Sequence, residues 1–296
     1  MRPSINRARR GLVAFVAVAC LALAGASSAG AAVSKLPLNK SDFLRFINCP
    51  IHEGAGLCSY GETTSGEFKI GSHSVPITNP TILQGGLEKM GLGVYPLIPP
   101  RFGAEEVSKS PQPVPGGLTG LSEQLGGPVY ATAEQAGTIE IRPVALGFAQ
   151  GTAIVFPLKV HLENELLGPN CYIGSDAEPI VLDLTDGVTE PPAGTEPIEG
   201  RVGETPGPDK GKITALIGNK LVDNAWAAPA ATGCGTNALT EPVITTLVNT
   251  AEGLPSAAGK NVAILEGNLY TALASDVAKY DKKALKEKEL PKKSKK

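Results

Sequence analysis

The sequence predicts an all-β protein, an antiparallel sandwich of short strands with one peripheral helix and two disulfides. Three observations carry this. Apolar residues alternate with polar ones through Thr152-Ala-Ile-Val-Phe156 and Leu158, Val160 and Leu162, the period-two pattern of a sheet packed on one face and wet on the other. Gly (35) and Pro (25) make up about a fifth of the 296 residues, which divides the chain into many strand-sized pieces. Four cysteines remain beyond the N-terminal segment, an even number suited to disulfides. A closed β-barrel is the alternative architecture.

The first 31 residues read as a signal peptide. Arg2, Arg7, Arg9 and Arg10 precede an apolar run from Gly11 to Ala24 and an Ala29-Gly30-Ala31 cleavage site. The apolar run continues past Cys20, which favours plain secretion over a lipid anchor at that cysteine. Export with four remaining cysteines implies an oxidising compartment. Cys49, Cys58, Cys171 and Cys234 allow three connectivities. Cys49–Cys58 with Cys171–Cys234 is favoured because the first pair is close in sequence and closes a Gly-rich loop. Cys49-Pro-Ile-His52 has no second ligand pair at zinc-like spacing, so no metal site is assigned.

Between 32 and 278 the elements follow in order. Ser41 to Ile47 suits a short helical turn with Phe43, Phe46 and Ile47 inward. Phe68–Ile70, Val75–Ile77, Thr81–Leu83 and Val94–Leu97 are strand-sized, with Gly71-Ser72, Asn79-Pro80 and Gly85-Gly86 as breakers; Pro76 and Pro96 demote two of them to edges or bends. The Pro- and Gly-rich stretch at 100–118 is the one internal boundary the composition offers. Val129–Ala133 and Thr138–Arg142 lead into the alternating segment, and Pro179–Leu184 follows the Gly-Pro-Asn turn that carries Cys171. Thr189 to Pro208 reads as a long exposed loop. Gly218-Asn219, between Gly211–Ile217 and Lys220–Val222, reads as a two-residue hairpin turn. Thr240, Pro242 and an apolar set at Val243, Ile244, Leu247 and Val248 before Gly253 predict the helix. Asn261–Glu266 returns to strand.

Charge is uneven. The whole chain is −2, but four Arg lie in the signal and nine Lys oppose three acids from Lys279 onward, leaving 14 bases against 26 acids in the body. An acidic body argues against nucleic-acid binding by the fold. The Lys-rich segment 279–296 reads as a flexible tail. Lys282, Lys283, Lys286, Lys288, Lys292, Lys293, Lys295 and Lys296 could meet an anionic wall polymer or membrane surface by a salt-sensitive field.

Catalytic motifs are absent. His52, His73 and His161 lie in no hydrolase signature and no Gly-x-Ser-x-Gly elbow occurs. His161 reads as solvent-facing on a sheet and His73 as part of a turn. Glu163 with Glu165, and Asp183 with Asp186, are spaced for paired-carboxylate chemistry, yet read more simply as solvated surface. Asp183, Asp186 and Asp223 lack a calcium-loop spacing. No cofactor is implied.

Asn170-Cys-Tyr-Ile-Gly-Ser175, Leu221-Val-Asp-Asn224, Gly233-Cys-Gly235 and Gly253-Leu-Pro-Ser-Ala-Ala-Gly-Lys-Asn261 together resemble secreted actinobacterial proteins of uncharacterised role. The likeness covers mainly Ala153 to Glu266 and more loosely Val75 to Leu87. It implies export and the Cys171–Cys234 pairing, and carries no catalytic residues. The expected role is therefore an exported, non-enzymatic structural or binding protein of the cell envelope. A secreted hydrolase acting on an envelope or extracellular polymer, and a β-barrel channel or carrier, are the alternatives.

Overall fold

A computed structural model describes residues 40–117, 127–206 and 212–289, with backbone only over 282–289. The signal segment with Cys20, and Lys292, Lys293, Lys295 and Lys296, lie outside the described residues. In chain order a 3-10 helix, Lys40–Phe46, precedes β1 (Leu57–Ile70), β2 (His73–Pro76), β3 (Thr81–Leu87) and β4 (Tyr95–Pro96). Then come β5 (Gln112–Pro113), β6 (Tyr130–Gln135), β7 (Glu140–Ile141) and the single-turn α1 (Ala145–Phe148). β8 (Ile154–Glu163), β9 (Tyr172–Ile173), β10 (Ile180–Leu184), β11 (Ile213–Asp223) and β12 (Ala231–Thr232) follow. The described chain closes with α2 (Glu241–Glu252), β13 (Val262–Leu273) and α3 (Ala274–Glu289).

These strands make two antiparallel sheets. The first runs β11-β13-β1, with β2 and β3 end to end along the far edge of β1. The second is built on β8, which pairs β10 and β9 on one side and β7 and β6 on the other. The sheets meet at both margins without closing into a barrel. At one margin Thr185 and Val222 exchange backbone bonds of 3.0 and 2.8 Å. At the other, Gly86 and Ile98 exchange bonds of 2.9 and 2.8 Å, while Leu97 N–H donates to Ile139 O.

The alternation read in the sequence fixes which side chains face inward. In β10, Ile180, Leu182 and Leu184 are buried while Val181 and Asp183 are exposed. In β8, Ile154, Leu158, Val160 and Leu162 are buried. A second, smaller core lies on the outer face of the first sheet. There Ile213, Ala215, Tyr270 and Ala272 are covered by Phe46, the Cys49–Cys58 loop, Ala274 and Val277. Both disulfides have the favoured pairing, Cys49–Cys58 and Cys171–Cys234.

Several expectations change. Gly218-Asn219 is no hairpin: β11 runs unbroken from Ile213 to Asp223, and Gly218, at φ 67°, is the extra residue of a bulge. Positive φ suits a bulge as well as a turn, so the local signal could not separate them. Gly85-Gly86 does not end a strand either. It lies inside β3, where a Cβ on Gly85 would stand 2.6 Å from Ile98 O and one on Gly86 2.5 Å from the Ala55 Cβ, so these glycines admit neighbouring chain. The 189–208 segment is largely exposed through residue 206 but is laid along β11 by bonds of Arg201 to Lys220 and Glu204 to Ile217.

Among the described residues there are three α-helices rather than one. α2 stands where expected, ending on Gly253 at φ 68°, though Thr240 makes no side-chain cap bond and Val243 and Leu247 remain exposed. Ile47 is also exposed. α3 runs through the expected start of the flexible tail: Tyr280 stacks on Phe43 at 5.5 Å and Asp281 pairs with Arg101, so the chain is docked at least to residue 281. The 100–118 stretch is stitched in. Gln112 Oε1 accepts from the Thr78 and Asn79 N–H groups, its Nε2 donates to Asn79 O, and the described residues all belong to one compact unit.

Candidate functional site

The feature that organises the space between the sheets is a bend in the first one. β1 and β11 both bulge opposite the same point of β13, at Thr64 and Gly218, on either side of Gly267. A Cβ on Gly267 would lie 1.8 Å from Glu62 O, and one on Gly66 1.9 Å from Ile264 O. Only glycine lets the strands approach this closely, and bulges steepen the local bend. The two bulges flank Gly267, where the inward side chains are short.

The result is a cavity of about 180 Å³ between the sheets, walled almost wholly by apolar groups. Its inward positions carry small residues opposite large ones. Ala131 faces Leu162 across the strand pair, Ala133 faces Val160, and Gly61 lies between Leu83 and Leu269. Phe68, Val75, Leu83, Phe156, Leu265 and Leu269 point into this core yet keep part of their surface, because the space they face is not filled. Phe68 is held by stacking on Trp226 at 5.2 Å, and Trp226 Nε1 donates to Asp223 O.

One end of the cavity is polar. His73 is on the inward face of β2, not in a turn, and its Nδ1 is 2.6 Å from Glu252 Oε2 at the end of α2. The Glu252 backbone carbonyl accepts from Ser72 N–H at 2.8 Å. Buried Asn261 locks this corner: its Oδ1 accepts from Gly71 N–H at 2.9 Å and its Nδ2 donates to Trp226 O at 3.0 Å. Burial pushes the Glu252 carboxyl up from its ordinary range, and the charge and hydrogen bond of His73 pull it back.

The other sequence candidates scatter. His52 sits exposed in the Cys49–Cys58 loop. His161 is on the outer face of the second sheet, as expected for that alternation. It stacks on Tyr172 at 4.5 Å, with Glu163 at 3.8 Å and Glu134 at 4.0 Å. Glu163 also accepts from Thr132 Oγ1, while Glu165 lies in the turn beyond β8. Asp183 is exposed; Asp223 is buried and accepts from the Asp183 and Ala225 N–H groups, which ties β10 to β11. Asp186 is buried with neither oxygen in full hydrogen-bond geometry. Burial pushes it up to about 6 against the smaller opposing pull of the Asp186 and Ala149 backbone groups. Among the described residues no group of three or more His, Cys, Asp or Glu is placed to hold a metal ion. Lys282, Lys283, Lys286 and Lys288 are on α3.

The cavity was not foreseen. Its signal in the sequence is the run of small inward residues, Ala131, Ala133, Gly61 and Gly267, which means something only once strand register pairs them. No family model matches the chain, and neither curated proteins nor solved structures include a significant match.

Proposed function

We propose that this is an exported, non-enzymatic binding protein that takes a small apolar molecule into the cavity between its sheets. The observation that carries this is an unfilled, apolar interior volume of about 180 Å³. An apolar cavity of roughly 150 Å³ stays dry and admits a ligand the size of benzene, so this one suits a single ring or a chain of roughly six to eight carbons. Natural ligand sites combine such walls with few polar groups, which here include the His73–Glu252 pair.

Export is supported by the N-terminal segment, by the two disulfides and by the likeness to secreted actinobacterial proteins. Among the described residues no helix is long and apolar enough to cross a membrane. The Lys-rich C-terminal segment would hold the protein to an anionic envelope surface. Full-length protein should then leave washed cells only in high salt, and equal release of a form lacking 282–296 in low salt would remove that role.

Calorimetric titration with toluene tests the cavity. The wild type should bind one equivalent saturably, with a Tm that rises with ligand concentration. Ala133→Leu, which fills the volume from β6, should bind none and lose less than about 1 kcal/mol of stability. Absence of saturable binding to the wild type contradicts the reading.

A further inference from the structure

The cavity wall contains an acid that is only half satisfied. Glu252 Oε2 is engaged by His73, but Oε1 is buried and, among the described residues, has no hydrogen-bond partner. Its side chain is only 5% exposed. The second unpartnered buried atom on this wall, Asn219 Oδ1 near the bend, is also an acceptor. A buried acceptor without a donor costs on the order of 1–3 kcal/mol, so such a group calls for a partner that the described residues do not supply. Gln112, another polar residue of the wall, shows the contrast: its oxygen and its nitrogen are both taken up by the 78–79 corner and Ser110.

We infer that the ligand is amphipathic, an apolar ring or short chain ending in a hydrogen-bond donor, a hydroxyl or a protonated amine, that Glu252 Oε1 accepts. This rests on the proposed role of the cavity as a ligand site. Glu252 is favoured over Asn219 because its other oxygen is fixed on His73, which restrains the carboxyl group. The chemistry also sets what is refused. A carboxylate headgroup would bring an acceptor, and a second negative charge, against an acceptor, and an ether would bring an acceptor with no donor. Sites built to hydrogen-bond a donor reject analogues that lack it, because the buried partner is left unpaired.

The experiment uses the full chain and four probes of matched length, 1-heptanol, heptylamine, hexyl methyl ether and heptanoate, with toluene as the apolar reference. Heptanol and heptylamine should bind about ten-fold or more tighter than the ether and heptanoate. In Glu252→Gln, which keeps the shape and offers a donor of its own, the preference over heptanoate should collapse to within about three-fold. If all four probes bind the wild type equally, a bound water or nothing satisfies Oε1 and the inference fails while the cavity reading stands. Selectivity that persists unchanged in Glu252→Gln moves the donor elsewhere and overturns the assignment to Glu252. If neither the probes nor toluene bind, the cavity reading itself fails. Should Glu252→Gln not fold, the wild-type selectivity still decides whether the ligand needs a donor.

Discussion

The two cores of this protein are built from the same central sheet and solve opposite problems. On the outer face of the first sheet a small cluster is closed off from solvent: Phe46, Cys58 and Val277 are each at most 2% exposed, and the Cys49–Cys58 bond pins the covering loop. On the inner face a much larger cluster remains hollow, with Phe68, Phe156 and Leu269 facing space rather than side chains. Tightness here does not follow size. Proteins generally pack their interiors to the density of organic crystals. The departure lies on one face of one sheet, and it is there that the proposed ligand site is placed.

Removing equal rings from the two sides tests this contrast most strongly. Phe46→Ala should cost about 3–5 kcal/mol in denaturant unfolding, the ordinary range for a closed core. Phe156→Ala, whose ring already borders empty space, should cost about half as much. Equal costs would mean that the inner face is packed as well as the outer.

The bend comes next. Gly267→Ala places a methyl group 1.8 Å from Glu62 O, a clash with backbone that no rotamer relieves, and should destabilise by about 3 kcal/mol. Gly61→Ala, where the nearest atom would be 3.6 Å away, should be close to neutral. Similar effects at the two positions would remove the claim that glycine at the bend, rather than glycine in the sheet, shapes the cavity.

A smaller effect comes from the buried carboxylates. Asp186 is pushed up to about 6 from an ordinary 3.8, and Asp223 and Glu252 move in the same direction, all chiefly through burial. The native state therefore holds more protons than the unfolded chain between about pH 4 and 6. Stability should fall as pH rises through that window and level off above it, by on the order of 2–3 kcal/mol for Asp186. Urea unfolding from pH 4 to 8 should show this decline, and Asp186→Asn should flatten most of it. A protein more stable at pH 8 than at pH 5 would contradict the assignment.

Much of the scaffold was legible in the sequence because it rests on local rules. The alternation of Ile154 through Leu162 placed five inward side chains correctly, and Gly253 ended α2 where expected. What failed depended on partners distant in sequence. Gly218 looked like a turn because φ alone cannot tell a bulge from a hairpin, and the difference lies in β13, some fifty residues away. β1 was read only at its end, since Gly61 to Gly66 lacks apolar alternation and is held by β13 on one side and by β3 on the other as far as Thr63. The site was hidden for the same reason: Ala133 is an ordinary strand residue until register sets it opposite Val160. His73 and Glu252 are 179 residues apart, and neither has a motif that points to the other.

The hollow between the sheets is proposed to admit an apolar guest. Pressurising a crystal of the protein with xenon tests it most directly, because xenon enters apolar cavities without needing a specific contact. A strong xenon peak bordered by Phe68, Ala133, Phe156 and Leu269 is expected, and should be lost in Ala133→Leu. Side chains of the two sheets meeting across that space, with no xenon between them, would contradict it.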